Sequence, residues 1–162
     1  MADPAIIRKI GDAIQRMEGY APGTRAYKNN NPGNIWDGTG PGKPRRIWPS
    51  IPIDASGFLV YPSYAAGRAE MERQIAMKID RGLTLRSLIT EWAPPVENNT
   101  SLYVGNVSQW TGIPPDVVLR NAGGEAPLQP PEEPASETEG ERRGVSSVSS
   151  DRGSTPRVRG RG

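Results

Sequence analysis

The 162-residue sequence contains no cysteine and no histidine. Without cysteine, the chain can form neither a disulfide framework nor a thiolate metal site. Without histidine, Ser-His-Asp and Cys-His mechanisms are excluded, and so are the usual zinc ligands. If the protein is an enzyme, we expect its acid–base group to be a carboxylate, with Tyr or Lys as alternatives.

Long apolar runs are also missing, and no stretch is long and apolar enough to span a bilayer. The first residues do not form the apolar core of a signal peptide, because Ile6 and Ile7 are followed at once by Arg8, Lys9 and Asp12. We therefore expect neither a membrane span nor export through a signal peptide. The net charge of +2 is too small to indicate a nucleic-acid partner.

The clearest periodic pattern lies at the start of the chain. Apolar residues recur every three or four positions at Ile6, Ile7, Ile10, Ala13, Ile14 and Met17. This period predicts a helix over residues 3 to 18 with one buried face. Asp3 suits its N-cap, Pro4 suits its first turn, and Gly19 can end it in the left-handed conformation. Glu18 then lies in the last turn, near the edge of the buried face.

Glu18 is the candidate catalytic residue. The C-terminal end of a helix carries partial negative charge, which disfavours a second negative group there, and partial burial disfavours the ionised carboxylate as well. Both effects raise the pKa of the side chain. A carboxylic acid that stays protonated near neutral pH can donate a proton to a leaving oxygen. The alternative is a solvated residue at the end of a helix.

An amide-rich turn follows at residues 29 to 35, with the sequence Asn-Asn-Asn-Pro-Gly-Asn-Ile. Asn side chains both donate and accept hydrogen bonds, so they suit the hydroxyl and N-acetyl groups of sugars. Asn, Pro and Gly are also common turn formers, and a plain turn is the alternative interpretation.

The remainder of the first 121 residues predicts a mainly α domain of about five helices. Helices are expected over residues 64 to 81 after Ser63, from Thr84 to Trp92, from the Asn99 cap to Gly112, and from Ile113 onward. Between the first two helices, residues 20 to 57 hold no long period. We expect a long loop or a small β region there, with extended pieces at residues 34–36, 45–48 and 58–61. Trp36 and Trp48 lie in this region and suit either sugar stacking or a core.

Asp37 and Asp54 are the only other acids between Glu18 and Glu70. Either one could serve as the second carboxylate that a hydrolase uses to position water or to stabilise positive charge. Asp also favours ordinary turns, and that remains the alternative for both residues.

From residue 122 to residue 162 the chain is rich in Pro, Ser, Gly, Glu and Arg and has almost no large apolar residue. This composition predicts a disordered tail, acidic from Glu125 to Glu141 and rich in Arg after that. The basic end could contact nucleic acid or wall polymers, but a solvated tail is the favoured interpretation.

Four short motifs, in this order, resemble the lysozyme-like domains of phage virion-associated peptidoglycan hydrolases, which are related to lytic transglycosylases and goose-type lysozymes. They are Met17-Glu18-Gly19, Asn30-Asn31-Pro32-Gly33-Asn34-Ile35, Gly57-Phe58-Leu59-Val60-Tyr61-Pro62-Ser63 with Gly67, and Trp92-Ala93-Pro94-Pro95-Val96-Glu97-Asn98-Asn99-Thr100 with Tyr103. Together they cover about residues 5 to 118. The resemblance implies a lysozyme-like fold with a small sheet or extended loops beside a cleft.

The resemblance also implies an activity. Glu18 would be the general acid and then the general base at the β-1,4 bond between N-acetylmuramic acid and N-acetylglucosamine. Without a strong second acid, a lytic transglycosylase is favoured over a muramidase that uses Asp37 or Asp54. A virion or wall-binding protein that keeps the fold without catalysis is a further alternative. No metal or organic cofactor is implied.

The expected partners are peptidoglycan glycan strands and other virion proteins, and the expected place of action is the virion or the bacterial cell wall. A small positive charge favours approach to that anionic wall. The residues expected to contact substrate are Tyr20, Asn30, Asn31, Asn34, Tyr61, Asn98, Asn99, Thr100 and Tyr103. For Asn98, Asn99 and Thr100, simple capping of the following helix is the alternative.

Overall fold

The computed structural model describes residues 1–123. The helices are α1 (Pro4–Met17), α2 (Arg25–Lys28), α3 (Tyr64–Asp80), α4 (Leu85–Trp92) and α5 (Thr100–Thr111), followed by a 3₁₀ turn at Leu119–Asn121. The expected mainly α fold with five helices is confirmed. The predicted disordered tail lies outside the described residues from position 124 onward.

The helix ends follow from the capping residues. The Asp3 carboxylate accepts a hydrogen bond from the Ala5 amide at 2.8 Å, which begins α1. Gly19 takes a positive φ of 66° directly after the C-cap residue of this helix, Glu18. At the start of α4, Thr84 and Ser87 satisfy each other's backbone amides in a capping box. The predicted starts of α1, α3, α4 and α5 are therefore confirmed.

The core lies where α1 packs against α3 and α5, and where α4 packs against α5. Its fully buried side chains come from all four of these helices and include Ile10, Ile14, Met71, Ile75, Ile79, Leu85, Leu88, Ile89 and Val107. Burying the apolar stripe of α1 between α3 and α5 fixes the position of its C-terminal end. Glu18 therefore lies at the end of a helix that is packed on two sides.

The connection from Asn29 to Ser63 contains no β-strand, and within residues 1–123 the only β pairing consists of isolated bridges. Trp36 pairs with Phe58, and Ile53 pairs with Leu59. Ile35, Leu59 and Tyr61 form a small second core beneath this connection. Of the two expected possibilities, a long loop or a small β region, the structure shows the long loop, which folds back on itself. No bridge forms at the extended piece expected over residues 45–48.

Two local predictions were wrong. The short helix α2 was missed because a four-residue helix is too short to show a period. The last helix was expected to begin at Ile113, but the only helical turn after α5 within residues 1–123 is the 3₁₀ turn at Leu119–Asn121. Pro114 and Pro115 lack backbone donors, and Val118 instead pairs with Thr84 in an isolated bridge.

Candidate functional site

A cavity of about 720 Å³ opens beside the C-terminal end of α1. Pockets of about 300 to 1,000 Å³ are typical of small-molecule and cofactor sites. Its walls are formed by the long connection between α2 and α3, by the loop after α4, and by the facing sides of α3 and α4. Its lining includes the aromatic residues Trp36, Trp48, Phe58 and Trp92 and the amides Asn34, Gln74 and Asn98. Aromatic faces and amide groups suit a ligand with both apolar and hydroxyl-rich surfaces.

Glu18 lies in this cavity and is partly buried. Its Oε1 accepts a hydrogen bond of 2.9 Å from the Tyr103 hydroxyl. Its Oε2 lies 3.4 Å from the Asn34 side-chain nitrogen, a longer contact. Three parts of the chain thus meet at the Glu18 carboxyl group: the end of α1, the first turn of α5 and the amide-rich turn.

Burial raises the pKa of Glu18 above its ordinary value, because it removes water from the ionised carboxylate. The hydrogen bonds from Tyr103 and Asn34 act in the opposite direction, since both stabilise the ionised form, but burial dominates. Burial also raises the pKa of Tyr103, and the negative charge of Glu18 adds to that rise. Tyr103 therefore keeps its proton and remains a donor while Glu18 changes its protonation state.

Asn34 is held in a left-handed conformation with φ of 46°, which Asn tolerates better than most residues. Its Oδ1 atom is buried and has no hydrogen-bond partner within residues 1–123. An unpaired buried acceptor costs free energy. A side-chain amide can donate or accept, so Asn34 can donate to ionised Glu18 and, with its amide turned over, accept from protonated Glu18.

The other asparagines of the turn do not line the cavity. The Asn31 side chain is fully buried, and it donates to the Ile35 and Leu59 carbonyl oxygens at 3.0 and 2.9 Å. It also accepts from the Ile35 amide at 2.9 Å, so it holds the long connection together. Asn30 donates to the Tyr61 carbonyl oxygen at 3.1 Å. Both amides are occupied by the protein's own backbone.

Two of the predicted tyrosines also lie away from the cavity lining. The ring of Tyr20 packs between those of Tyr27 and Tyr64, with centroid distances of 5.1 and 5.3 Å. Tyr61 is buried in the small second core, and its hydroxyl has no partner within the described part of the chain. Neither residue reaches the carboxyl group of Glu18 through a hydrogen bond.

The loop after α4, with the first residue of α5, contains three of the residues expected to contact substrate, and the structure gives them different roles. Asn98 lines the cavity, and all three residues line a second, smaller cavity of about 390 Å³. Asn99 caps α5 by accepting from the Leu102 amide at 3.1 Å. Thr100 donates to the Ala93 carbonyl oxygen at 2.7 Å. Of the nine residues expected to contact substrate, Asn34, Asn98 and Tyr103 lie at the cavity or at Glu18.

Asp37, the first candidate for a second carboxylate, is fully buried and does not line the cavity. It accepts hydrogen bonds from the Ile47 and Trp48 amides, both at 2.8 Å. Lys43 and Arg46 lie 2.7 and 3.5 Å from its oxygens. Burial acts to raise the pKa of Asp37, but the hydrogen bonds from Lys43 and the two amides, together with the charge of Lys43, hold that pKa below its usual range. Asp37 is thus an ionised anchor for the loop that follows it.

Asp54, the second candidate, likewise lies off the cavity lining. It accepts from the Asn29 side chain at 2.8 Å and from the Ser56 and Phe58 amides at 2.9 and 3.0 Å. Burial opposes ionisation, yet these hydrogen bonds keep the pKa of Asp54 low. Neither aspartate is free to act on a ligand beside Glu18.

Sequence reasoning missed the charged residues of the cavity, Lys43, Lys78, Glu91 and Glu97. Lys43 follows a stretch of Gly and Pro without any periodic signal, and charged residues on a helix are normally interpreted as its solvated face. Only the fold brings these positions together.

Residues 1–123 contain neither a membrane-spanning helix nor a cluster of possible metal ligands. No helix there is long and apolar enough to cross a membrane. No group of three or more acidic side chains is placed to hold a metal ion in that range. No protein family, curated protein or solved structure matches the chain.

Proposed function

We propose that the protein cleaves the β-1,4 glycosidic bond between N-acetylmuramic acid and N-acetylglucosamine in peptidoglycan, with Glu18 as the general acid and base. One observation carries the proposal. A carboxyl group with a raised pKa is held by Tyr103 and Asn34 at the wall of a cavity that is lined with aromatic rings and amides. The order of motifs that resembles lysozyme-like domains supports the choice of substrate.

In the first step, protonated Glu18 donates its proton to the bridging oxygen, and the bond from that oxygen to C1 of the muramoyl residue breaks. The N-acetylglucosamine residue leaves with a new hydroxyl group. Positive charge develops at C1 and the ring oxygen, and negative charge appears on Glu18. The hydroxyl of Tyr103, 2.9 Å from Oε1, stabilises that charge as it forms.

In the second step, ionised Glu18 removes the proton from the muramoyl 6-hydroxyl, and that oxygen bonds to C1 to close a 1,6-anhydro ring. The carboxyl group regains its proton, so the cycle returns to its starting state without consuming water. This route requires a single carboxyl group. It is favoured over hydrolysis because Asp37 and Asp54 are both committed to loop contacts away from the cavity.

The other acids of the cavity do not replace Asp37 and Asp54 as a second catalytic carboxylate. Glu91 is paired with Lys78 at 2.6 Å and with Arg81 at 2.7 Å. Glu97 is exposed, in the loop after α4. Glu18 is therefore the acid of the cavity whose surroundings favour proton transfer.

The chemistry is tested by incubating purified peptidoglycan with the protein and analysing the soluble products by mass spectrometry. We expect muramoyl ends that carry the 1,6-anhydro ring and are therefore lighter than reducing ends by one water molecule. Reducing ends alone would assign hydrolysis to the same site. Intact strands that remain bound to the protein would indicate a glycan-binding protein without catalysis.

A further inference from the structure

Two groups of charged side chains flank the cavity, and each contains two cations and one acid. The first group, in the long connection, is Asp37, Lys43 and Arg46. The second, on α3 and α4 and the residue after α3, is Lys78, Arg81 and Glu91. Each group carries a formal excess of one positive charge. One lysine from each, Lys43 and Lys78, lines the cavity.

Both carboxylate oxygens of the acid in the first group already have partners. A carboxylate offers about four acceptor positions. Three of those of Asp37 are taken by Lys43 and the amides of Ile47 and Trp48. Arg46 lies 3.5 Å from the carboxylate and donates to the Asp37 backbone carbonyl oxygen instead. One negative charge is thus shared between two cations in a buried place, where charges are weakly screened. The remaining positive charge has no acid to neutralise it within this group.

Lys43 brings that charge to the cavity. Its ammonium nitrogen lies 2.7 Å from Asp37 Oδ1 and 3.1 Å from the Trp36 carbonyl oxygen. It also lies 4.7 Å from the centre of the Trp36 ring. An ammonium group has three N–H donors, and within residues 1–123 these two oxygens are its acceptors. The third donor has no oxygen acceptor there, and a ligand oxygen in the cavity can supply one.

The other acids of the cavity do not cancel this excess. The surroundings of Glu18 favour its neutral form. Glu97 carries one negative charge but is exposed to water. With the two groups counted at one positive charge each, the cavity keeps an excess of one positive charge. An anionic group on the ligand would satisfy it.

We propose that Lys43 is the centre of a subsite for a carboxylate of the glycan, so that the cavity selects acid-bearing strands over neutral ones. The inference rests on the proposed function and narrows its substrate class. Peptidoglycan offers this chemistry from two sources. In a strand without peptides, the lactyl group of each muramoyl residue ends in a carboxylate. In a strand with peptides, that group is amide-linked and the carboxylates belong to the peptide.

The test uses the full chain carrying Glu18→Gln, so that bound glycans are not consumed. Its affinity is measured for three glycans of equal length: a neutral β-1,4 N-acetylglucosamine chain, a peptide-free muramoyl strand and a peptide-bearing strand. We expect about tenfold tighter binding of at least one acidic strand, as one charge-assisted hydrogen bond provides. The preference should shrink as salt is added. The strand that binds tighter identifies the source of the carboxylate.

Adding Lys43→Gln should remove most of the preference while the affinity for the neutral chain stays within about twofold. Lys43→Arg keeps the charge and should keep the preference. Lys28→Gln is the matched control, because Lys28 is an exposed lysine of α2 that does not line the cavity. If Lys43→Gln does not fold, Lys43→Arg and the salt dependence decide the question.

Equal affinity of the Glu18→Gln protein for neutral and acidic chains would overturn the subsite, and so would an undiminished preference in a folded Lys43→Gln variant. The proposed function fails in a different way. In that case the parent protein releases no fragments from peptidoglycan, whatever residue stands at position 43.

Discussion

Tyr103 donates its hydroxyl hydrogen to Oε1 of Glu18 across 2.9 Å, and so joins two residues 85 positions apart in the chain. The contact links the end of α1 to the first turn of α5, and these two helices pack together in the core. Because both side chains are substantially buried, the hydrogen bond has little competition from water. It favours the ionised form of the proposed catalytic group and so partly offsets the rise in pKa that burial causes.

Replacing Tyr103 with Phe should move the pH dependence of the activity. The hydroxyl stabilises ionised Glu18 and so lowers its pKa, and its loss should raise that pKa further. A general acid must be protonated, so the alkaline limb of the pH–rate profile should shift to higher pH. Tyr64→Phe is the control, since the Tyr64 hydroxyl bonds to Gln15 instead. The same shift in both variants, or a shift to lower pH, would contradict the assignment.

Replacing Glu18 with Gln should stabilise the fold at high pH. The pKa of Glu18 is raised in the folded state, so its ionisation favours the unfolded chain. The stability of the parent is complete below the unfolded-state pKa of about 4.3 and falls as pH rises through the folded-state pKa. The variant lacks this loss, so thermal unfolding should show a gap in Tm that opens with pH. A gap that closes toward high pH would show that Glu18 is not disfavoured as an anion.

Asp37→Asn should destabilise the protein by about 3 to 5 kcal/mol at neutral pH, because it leaves Lys43 and Arg46 near a buried group without charge. The folded-state pKa of Asp37 is lowered, so this stabilisation is present above about pH 4 and is lost as pH falls through the folded-state value. Denaturant unfolding at pH 7 and at low pH measures both effects.

The matched control is Asp12→Asn. Asp12 pairs with Arg68 at 2.8 Å, but its side chain is 75% exposed. A surface pair of this kind contributes about 0 to 1 kcal/mol. If Asp37→Asn cost no more than Asp12→Asn, Asp37 would not be the anchor of its loop.

Gly67→Ala should disrupt the amide-rich turn. A Cβ atom at Gly67 would collide with the Asn30 backbone oxygen, so α3 and the turn would have to separate. We expect a loss of about 3 kcal/mol, at the upper end of the usual range for overpacking, because the clash is with backbone. Thermal unfolding provides the measurement.

Gly105→Ala is the opposite case. Gly105 lies inside α5, and a Cβ atom there would have no neighbour within 4 Å. This substitution should stabilise the fold by roughly 0.5 to 1 kcal/mol, because Gly is costly in a helix. A mild effect of Gly67→Ala, comparable to that of Gly105→Ala, would contradict the close packing of α3 on the turn.

The parts of the fold that the sequence predicted well are those set by local chemistry. The ends of four helices were predicted to within a residue or two, because hydrophobic period and capping act over short distances. The signals were the apolar stripe from Ile6 to Met17 and the capping residues Asp3, Ser63, Thr84 and Asn99. The segment from Ile113 onward predicts a short helix, whereas in the structure its residue Val118 pairs with Thr84, which is distant in the chain. Such a pairing leaves no local signal.

In the candidate site, too, local sequence predicted some features and the overall fold determined the others. The position of Glu18 at a helix end and at the edge of an apolar stripe predicted a raised pKa from nearby residues alone. The resemblance implied that Tyr103 contacts substrate, but its hydrogen bond to Glu18 depends on the packing of α1 against α5. Other features of the site depend on how the long connection folds back on itself, and neither a hydrophobic period nor a helix cap encodes that folding. These features are the roles of Asn31 and Asp37 as internal anchors and the presence of Lys43 in the cavity.

The central claim is that Glu18 transfers the proton that breaks the glycan strand. The most direct test compares the release of soluble fragments from purified peptidoglycan by the parent, by Glu18→Gln and by Glu97→Gln, the last being an exposed acid of the same cavity. We expect Glu18→Gln to lose at least about a hundredfold in rate, the contribution of a general acid–base group. Glu97→Gln should stay within a few-fold of the parent. Fragment release by Glu18→Gln at the parent's rate would contradict the claim.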